Sequence, residues 1–165
     1  PMTLMSLGNL ANISSELGRR DEAQELFQRC LTLRKEALGE SHPDYHLALH
    51  NFACELAEVG EDERAAPLFR EAIRRTRDLV EQTAIVQSER QQLAMAQTLR
   101  YRLDVYVSLA ARRPEFARDV FEEVLAWKGA TLVRQRGMRM VADDPAVGDL
   151  FKQLQEAARQ LVAAS

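Results

Sequence analysis

The chain has 165 residues, 46% hydrophobic and 28% charged, a balance that argues against a disordered protein. The formal net charge of −3 argues against a general nucleic-acid-binding protein, since those carry a strong basic excess. No apolar run reaches the roughly 18 to 20 residues that a membrane span needs, and no secretory leader is visible. Cys30 and Cys54 are too few for a disulfide framework and indicate a reducing compartment, so we expect a cytoplasmic protein that makes no membrane contact.

Two segments of the chain coincide when the sequence is shifted by 42 residues. The matched positions alternate between large apolar and small side chains, at spacings of three and four that place them on one helix face. They pair Leu7, Asn9, Ala11, Ala23, Leu26, Phe27 and Cys30 with Leu49, Asn51, Ala53, Ala65, Leu68, Phe69 and Ala72. Small residues let two helices approach closely, so each unit is predicted to be a helix, a tight turn and a second helix.

The turn residues agree with this division. Gly18 and Gly60 stand where a first helix must end, and glycine accepts the left-handed conformation that closes many helices. Between the units, Gly39 is predicted to stop one helix, while Pro43 suits the first turn of the next. His42 precedes that helix and is expected to cap it.

A third, degenerate unit follows the two regular ones. Its first helix is predicted over about residues 88–111 and its second over about 114–139, with Trp127 as the largest buried side chain. An offset of 52 places Ala117, Phe121 and Leu125 where Ala65, Phe69 and Ile73 stand in the second unit. Asp143-Asp144-Pro145 is a break, and residues 146–164 form a final amphipathic pattern, which gives seven predicted helices.

The pattern from Leu7 to Asp44, including the stretch "LGESHPDYHLALHNFA", resembles the 42-residue tetratricopeptide repeat found in kinesin light chains and many bacterial proteins. The resemblance implies an all-α fold in which helical hairpins stack into a right-handed superhelix. We assign residues 1–87 to two regular repeats and 88–139 to the degenerate third hairpin. Residues 140–165 are assigned to a C-terminal helix that leads toward a further domain.

The later part of the chain carries a second resemblance. The stretches "QSERQQLAMAQTLRYRLDVYVSLA", "VFEEVLAWKGATLVRQR" and "ADDPAVGDLFKQLQEAARQLV" are similar to the segment between the repeats and the caspase-like cysteine protease of CHAT proteins. Nothing in the chain matches the catalytic His and Cys segments of that family. The resemblance therefore implies a regulatory arm that is not itself an enzyme, with a protease domain in the full-length protein.

Stacked hairpins curve, and the first helix of each pair lines the concave side. Asn9 and Asn51 are the same residue in both repeats, and an amide can pair with the N–H and C=O of a peptide together. In the kinesin-light-chain-like repeats that the sequence resembles, matching asparagines contact the bound peptide backbone; alternatively, they join neighbouring helices. The predicted surface for a protein or peptide partner comprises Asn9, Asn12, Glu16, His50, Asn51, Cys54, Glu58, Arg102 and Tyr106.

Two other classes of function remain open. His46, His50 and Cys54 recur every four residues, which would suit a metal-binding or redox-sensing helix, although a closed metal site usually draws ligands from a second element. We expect no cofactor and no metal, and no catalysis by Cys54 with His50, since no oxyanion donor accompanies them. A structural oligomerisation unit is the other alternative, because apolar surface around Met2, Leu4 and Met5 favours self-association.

Overall fold

A computed structural model describes residues 4–84, 87 and 89–143, together with positions 148, 149, 153, 156 and 160. In this part of the chain there are six α-helices and no strand, which confirms the predicted all-α class. They are α1 (Leu4–Glu16), α2 (Arg20–Leu38), α3 (Pro43–Glu58), α4 (Asp62–Thr83), α5 (Glu89–Arg112) and α6 (Ala117–Asp143). None of these helices combines the length and apolar character needed to cross a membrane. The predicted final helix falls mostly outside the described residues.

The six helices form three hairpins that pack side by side. Helices α1 and α2, α3 and α4, and α5 and α6 pair within a hairpin, while α2 packs on α3 and α4 on α5. Five of the seven pairs matched by the 42-residue shift are buried in both repeats, which confirms the predicted core face at those positions, whereas Leu26, Leu68 and Asn51 are partly buried and Asn9 is exposed. These buried pairs are Leu7 with Leu49, Ala11 with Ala53, Ala23 with Ala65, Phe27 with Phe69, and Cys30 with Ala72.

The turn inside each regular hairpin has the same geometry. Gly18 and Gly60 adopt φ values of 74° and 83°, in the left-handed region that penalises a Cβ atom. The N–H of Arg19 donates to the carbonyl of Ser14 at 2.9 Å, and the N–H of Glu61 donates to the carbonyl of Leu56 at 2.8 Å. These bonds satisfy carbonyls that the end of the helix leaves without partners, so the predicted glycine stops are confirmed.

The start of α3 is capped by a side chain. His42 Nδ1 accepts a hydrogen bond from the N–H of Asp44 at 3.1 Å, and Pro43 occupies the first turn. Proline fits there because its missing N–H would have no partner inside the helix. The second hairpin is thus started by local chemistry at the position where the sequence indicated it.

The third hairpin departs from the predicted register. Helix α6 turns Val120 toward the core at 4% exposure, whereas Phe121 is 61% exposed. The offset of 52 is therefore wrong by one position, which rotates a side chain by about 100° around the helix axis. The 3₁₀ turn Pro114–Phe116 directly precedes α6, where the regular hairpins have a glycine turn instead. Trp127 is only partly buried, which corrects its predicted role as the largest buried side chain of this helix.

Apolar side chains remain exposed on the two outermost hairpins. Of the three residues expected to form such a surface, Met5 is exposed, Leu4 is partly buried, and Met2 lies outside the described residues. At the other end, Phe121 and Leu125 are exposed on α6.

The glycine turns give a direct test of the backbone geometry. Gly60→Ala is expected to lower the free energy of unfolding by about 1 kcal/mol, because a Cβ atom is strained at this positive φ. No side chain lies within 4 Å of that Cβ, so the loss measures backbone strain alone. Gly129→Ala, in α6, is the matched control and should raise the same free energy by about 0.5 to 1 kcal/mol. Urea denaturation measures both; equal shifts for the two variants would contradict the assigned turn.

Candidate functional site

The first helices of all three hairpins face one open groove of about 530 Å³. From α1 it is lined by Asn12, Ser15 and Glu16, and from α5 by Thr98, Tyr101 and Arg102. Helix α3 forms the floor with Leu47, His50, Asn51, Cys54, Glu55 and Glu58. Arg20 and Phe27 reach the groove from α2. The groove is therefore a product of all three units and not of one hairpin.

Seven of the nine residues predicted for a partner surface line this groove, and two do not. Asn9 is exposed on α1 outside the lining residues. Tyr106 is 1% exposed, with its ring centroid 5.7 Å from that of Phe69, so the structure corrects its assignment from groove to core. Tyr101, 62% exposed, presents an aromatic ring to the groove instead.

The periodic spacing of buried residues along α5 explains why Tyr106 is in the core and Tyr101 is in the groove. Leu99, Leu103 and Tyr106 of α5 stand 50 residues after Leu49, Ala53 and Leu56 of α3, and all six are buried. By the same offset, Tyr101 of the third unit occupies the position that Asn51 occupies in the second unit. An offset of 50, applied to the first helix of the third unit, would have found Tyr101 from the sequence.

One wall of the groove is an ion-paired cluster centred on Arg20. Its Nη1 lies 3.2 Å from Glu55 Oε1 and 3.6 Å from Glu58 Oε2, and it donates to Ser15 Oγ at 2.7 Å. Glu55 is buried, so the guanidinium compensates a carboxylate that would otherwise be costly to bury. Sequence spacing did not point to Arg20, because it enters the groove from a second helix.

His50 and Cys54 form a neutral pair on the floor. Their Nε2 and Sγ atoms are 3.6 Å apart, and the His50 ring lies between the rings of Phe69 and Tyr101. Burial, together with the charge of Arg102, lowers the pKa of His50 to about 4. Burial also raises the pKa of the Cys54 thiol to about 11, with a further contribution from Glu58. At neutral pH the thiol keeps its proton, which is the wrong state for a nucleophile.

His46 does not join that pair. Its side chain is buried, and its Nε2 lies 3.0 Å from the carbonyl of Glu40, at the start of α3. Among the described residues, no group of three His, Cys, Asp or Glu side chains could hold a metal ion. The metal-binding alternative therefore has no ligand set in this part of the chain, since His46, His50 and Cys54 do not converge.

A smaller crevice of about 250 Å³ adjoins the groove between α3 and α5. Ala57 and Val105 contribute partly exposed apolar surface to it, and Arg112 stands at the end of α5. Cys54, Glu58 and Tyr101 line both depressions, so the two are continuous.

The depressed pKa of His50 predicts a specific loss of stability in acid. Between its ordinary value of 6.5 and its folded value of about 4, the unfolded chain binds more protons than the folded chain. The free energy of unfolding therefore falls as the pH drops through this window, by about 2 kcal/mol at pH 5 from His50 alone. Urea denaturation at a series of pH values measures the decline.

Two variants isolate that contribution. His50→Leu should flatten the decline between pH 6.5 and pH 4, leaving the part due to His46, whose pKa is also lowered by burial. Gln28→Leu makes a comparable substitution at an exposed position without a titratable group, and it should leave the decline unchanged. If the free energy of unfolding fell equally with pH in the wild type and in His50→Leu, His50 would not be buried in its neutral form.

The first two hairpins coincide with the residues that match a known family. A family model described as a tetratricopeptide repeat matches residues 3–44 and 47–82, which fall on the first and second hairpins. No curated protein matches the chain. Tetratricopeptide repeats generally mediate protein–protein interactions and are typically non-catalytic. The stretches 3–44 and 47–82 of this chain are therefore each similar to a tetratricopeptide repeat.

Proposed function

We propose that this chain binds a segment of another protein, which lies extended in the groove between α1, α3 and α5. The observation that carries the proposal is the side-chain amide of Asn51. It lines the groove floor, is partly exposed, and makes no hydrogen bond to any other described residue. An amide used to join neighbouring helices would be bonded to one of them. Its donor and acceptor are instead free for the N–H and C=O of a peptide.

The neighbouring crevice suits an apolar side chain of the bound segment. Ala57 and Val105, both partly exposed, give it apolar walls, and the exposed ring of Tyr101 stands where it meets the groove. Aromatic side chains in a partly formed pocket are typical anchors of protein interfaces, because they bury a large area with few rotatable bonds. A peptide held by its backbone at Asn51 would place a side chain in this crevice.

Asn51→Ala tests the groove. Peptides selected from a random twelve-residue display library on the immobilised chain are expected to bind the wild type. Their dissociation constants should rise about tenfold for Asn51→Ala, since a backbone hydrogen-bonding amide is lost. Calorimetric titration measures the change. Gln28→Ala, which removes an exposed amide from α2, is the matched control and should bind like the wild type. Failure to select any peptide, or equal effects of both variants, would contradict the groove.

We further propose that this module is the regulatory arm of a CHAT-type cysteine protease. The support is the similarity of three stretches, within residues 87–162, to the segment that separates repeats from protease in that family. Binding of a partner segment in the groove would then be the input to the protease, with the protease domain as an intramolecular partner.

The reading frame beyond Ser165 tests this second proposal. Sequencing the gene past that codon should reveal an α/β domain with a His-bearing and a Cys-bearing strand end. A different catalytic or binding domain at that place would overturn the protease assignment while leaving the peptide groove unaffected.

A further inference from the structure

Each junction between neighbouring hairpins joins the second helix of one hairpin to the first helix of the next. Helix α2 packs on α3, and α4 packs on α5. At the first junction the rings of Phe27 and Phe52 stack with centroids 6.2 Å apart. At the second, Thr76 of α4 accepts a hydrogen bond from Arg102 of α5. Phe52 and Arg102 are 50 residues apart and occupy the same position of the repeat, so the same face of the first helix is covered at both junctions.

Helix α1 has the corresponding face open in the described part of the chain. Leu10 and Ile13 lie on it and are 37% and 51% exposed. The 42-residue shift places these two residues on Phe52 and Glu55 of α3. Phe52 and Glu55 are only 3% exposed, because α2 covers them. The outer face of α1 is therefore the first-helix half of a junction, with apolar side chains where a second helix would pack.

Helix α6 presents the other half of such a junction. The buried positions of α4 and α6 are 51 residues apart. By that offset, three positions at which α4 meets the third hairpin have counterparts on α6, which pair Arg70, Ile73 and Thr76 with Phe121, Val124 and Trp127. In α4, Ile73 has no exposed surface and Arg70 forms an ion pair with Asp119 of α6. In α6, by contrast, Phe121 is 61% exposed, and Val124 and Trp127 are partly exposed.

The outer faces of α1 and α6 match each other in chemistry. Where the junction of α4 with α5 has the polar contact between Thr76 and Arg102, the equivalent positions on the outer faces are Trp127 and Leu10. Both of these side chains are apolar, so bringing them together leaves no buried charge to compensate. Every copy of the chain carries both halves of the junction. A second copy therefore offers each open face the surface that covers its equivalent inside the chain.

We propose that the outer face of α6 in one copy packs on the outer face of α1 in a second copy, which continues the stacking of hairpins from chain to chain. Burial of the exposed apolar side chains favours this contact. Because the contact is head-to-tail, each pair of copies keeps one open face of each kind, and further copies add to it. The first helices of neighbouring copies then face one continuous groove.

Sedimentation velocity of the full chain tests the association. The wild type is expected to pass from monomer to dimer and then to larger species as its concentration rises through the micromolar range. Trp127 is the one tryptophan of the chain, so its fluorescence emission should move to shorter wavelength over the same range. A monomer at every concentration overturns the proposal and leaves the two faces to other occupants, such as residues 144–165 of the same chain.

Substitutions on each face locate the contact. Phe121→Glu and Ile13→Glu each place a carboxylate in the apolar junction and should raise the dissociation constant by about 10- to 100-fold. Both positions are more than half exposed in the single chain, so the midpoint of thermal unfolding should be retained. Leu125→Glu, one turn from Phe121, is the matched control. Its counterpart Arg74 in α4 keeps 55% of its side chain exposed, so this variant should associate like the wild type.

Mixing the two variants distinguishes a head-to-tail contact from a symmetric one. Phe121→Glu keeps an intact α1 face, and Ile13→Glu keeps an intact α6 face. An equimolar mixture, with one variant fluorescently labelled, should form a dimer of one copy of each with the affinity of the wild type, and nothing larger. If only one of the two variants loses association, or if the mixture stays monomeric, the head-to-tail contact is wrong.

Discussion

The close approach of the two helices in each regular hairpin rests on alanines that have no exposed surface. Ala11 and Ala23 provide it in the first hairpin, and Ala53 and Ala65 in the second. A side chain with more than a methyl group at these points would push the helices apart, since helix spacing follows the residues at the contact. Phe27 and its counterparts fill the space beside them. Because the same small and large side chains recur, the hairpins repeat one geometry and their first helices face a common groove.

The side chains that line the groove differ in the third unit from those of the second. At the position of Asn51 the third unit has Tyr101, and at the position of Phe52 it has Arg102. The helix framework tolerates both changes, because the buried stripe of Leu99 and Leu103 continues past them. One side of the groove thus carries acidic groups held by Arg20. The other side carries the ring of Tyr101 and the guanidinium of Arg102, which has no carboxylate partner among the residues that the structure describes. Regular packing gives the groove its shape, and the irregular residues change the charge and aromatic character of one side of it.

The sequence predicted the regular part of this arrangement well because each signal there is local or periodic. The 42-residue shift identified buried positions, and Gly18 and Gly60 marked turns whose backbone requires glycine. Seven of the fourteen residues that line the groove were also predicted from the repeat pattern. Prediction was weaker in the third hairpin, where a 3₁₀ turn replaces the glycine turn before the second helix. An error of one residue in the offset there predicted a buried Phe121, which is exposed, because one residue rotates a side chain by about 100° around the helix axis. Arg20 escaped notice because it reaches the groove across a hairpin, which no spacing along one helix reveals.

The central claim is that a partner segment lies between the first helices of the three hairpins. Intermolecular nuclear Overhauser effects between isotope-labelled chain and an unlabelled selected peptide test it most directly. Peptide protons are predicted to give cross-peaks to Asn51, His50 and Tyr101, which line the groove. Cross-peaks confined to the outer surface of α2 and α4, around Gln28 and Arg64, would place the ligand on the opposite face and contradict the account.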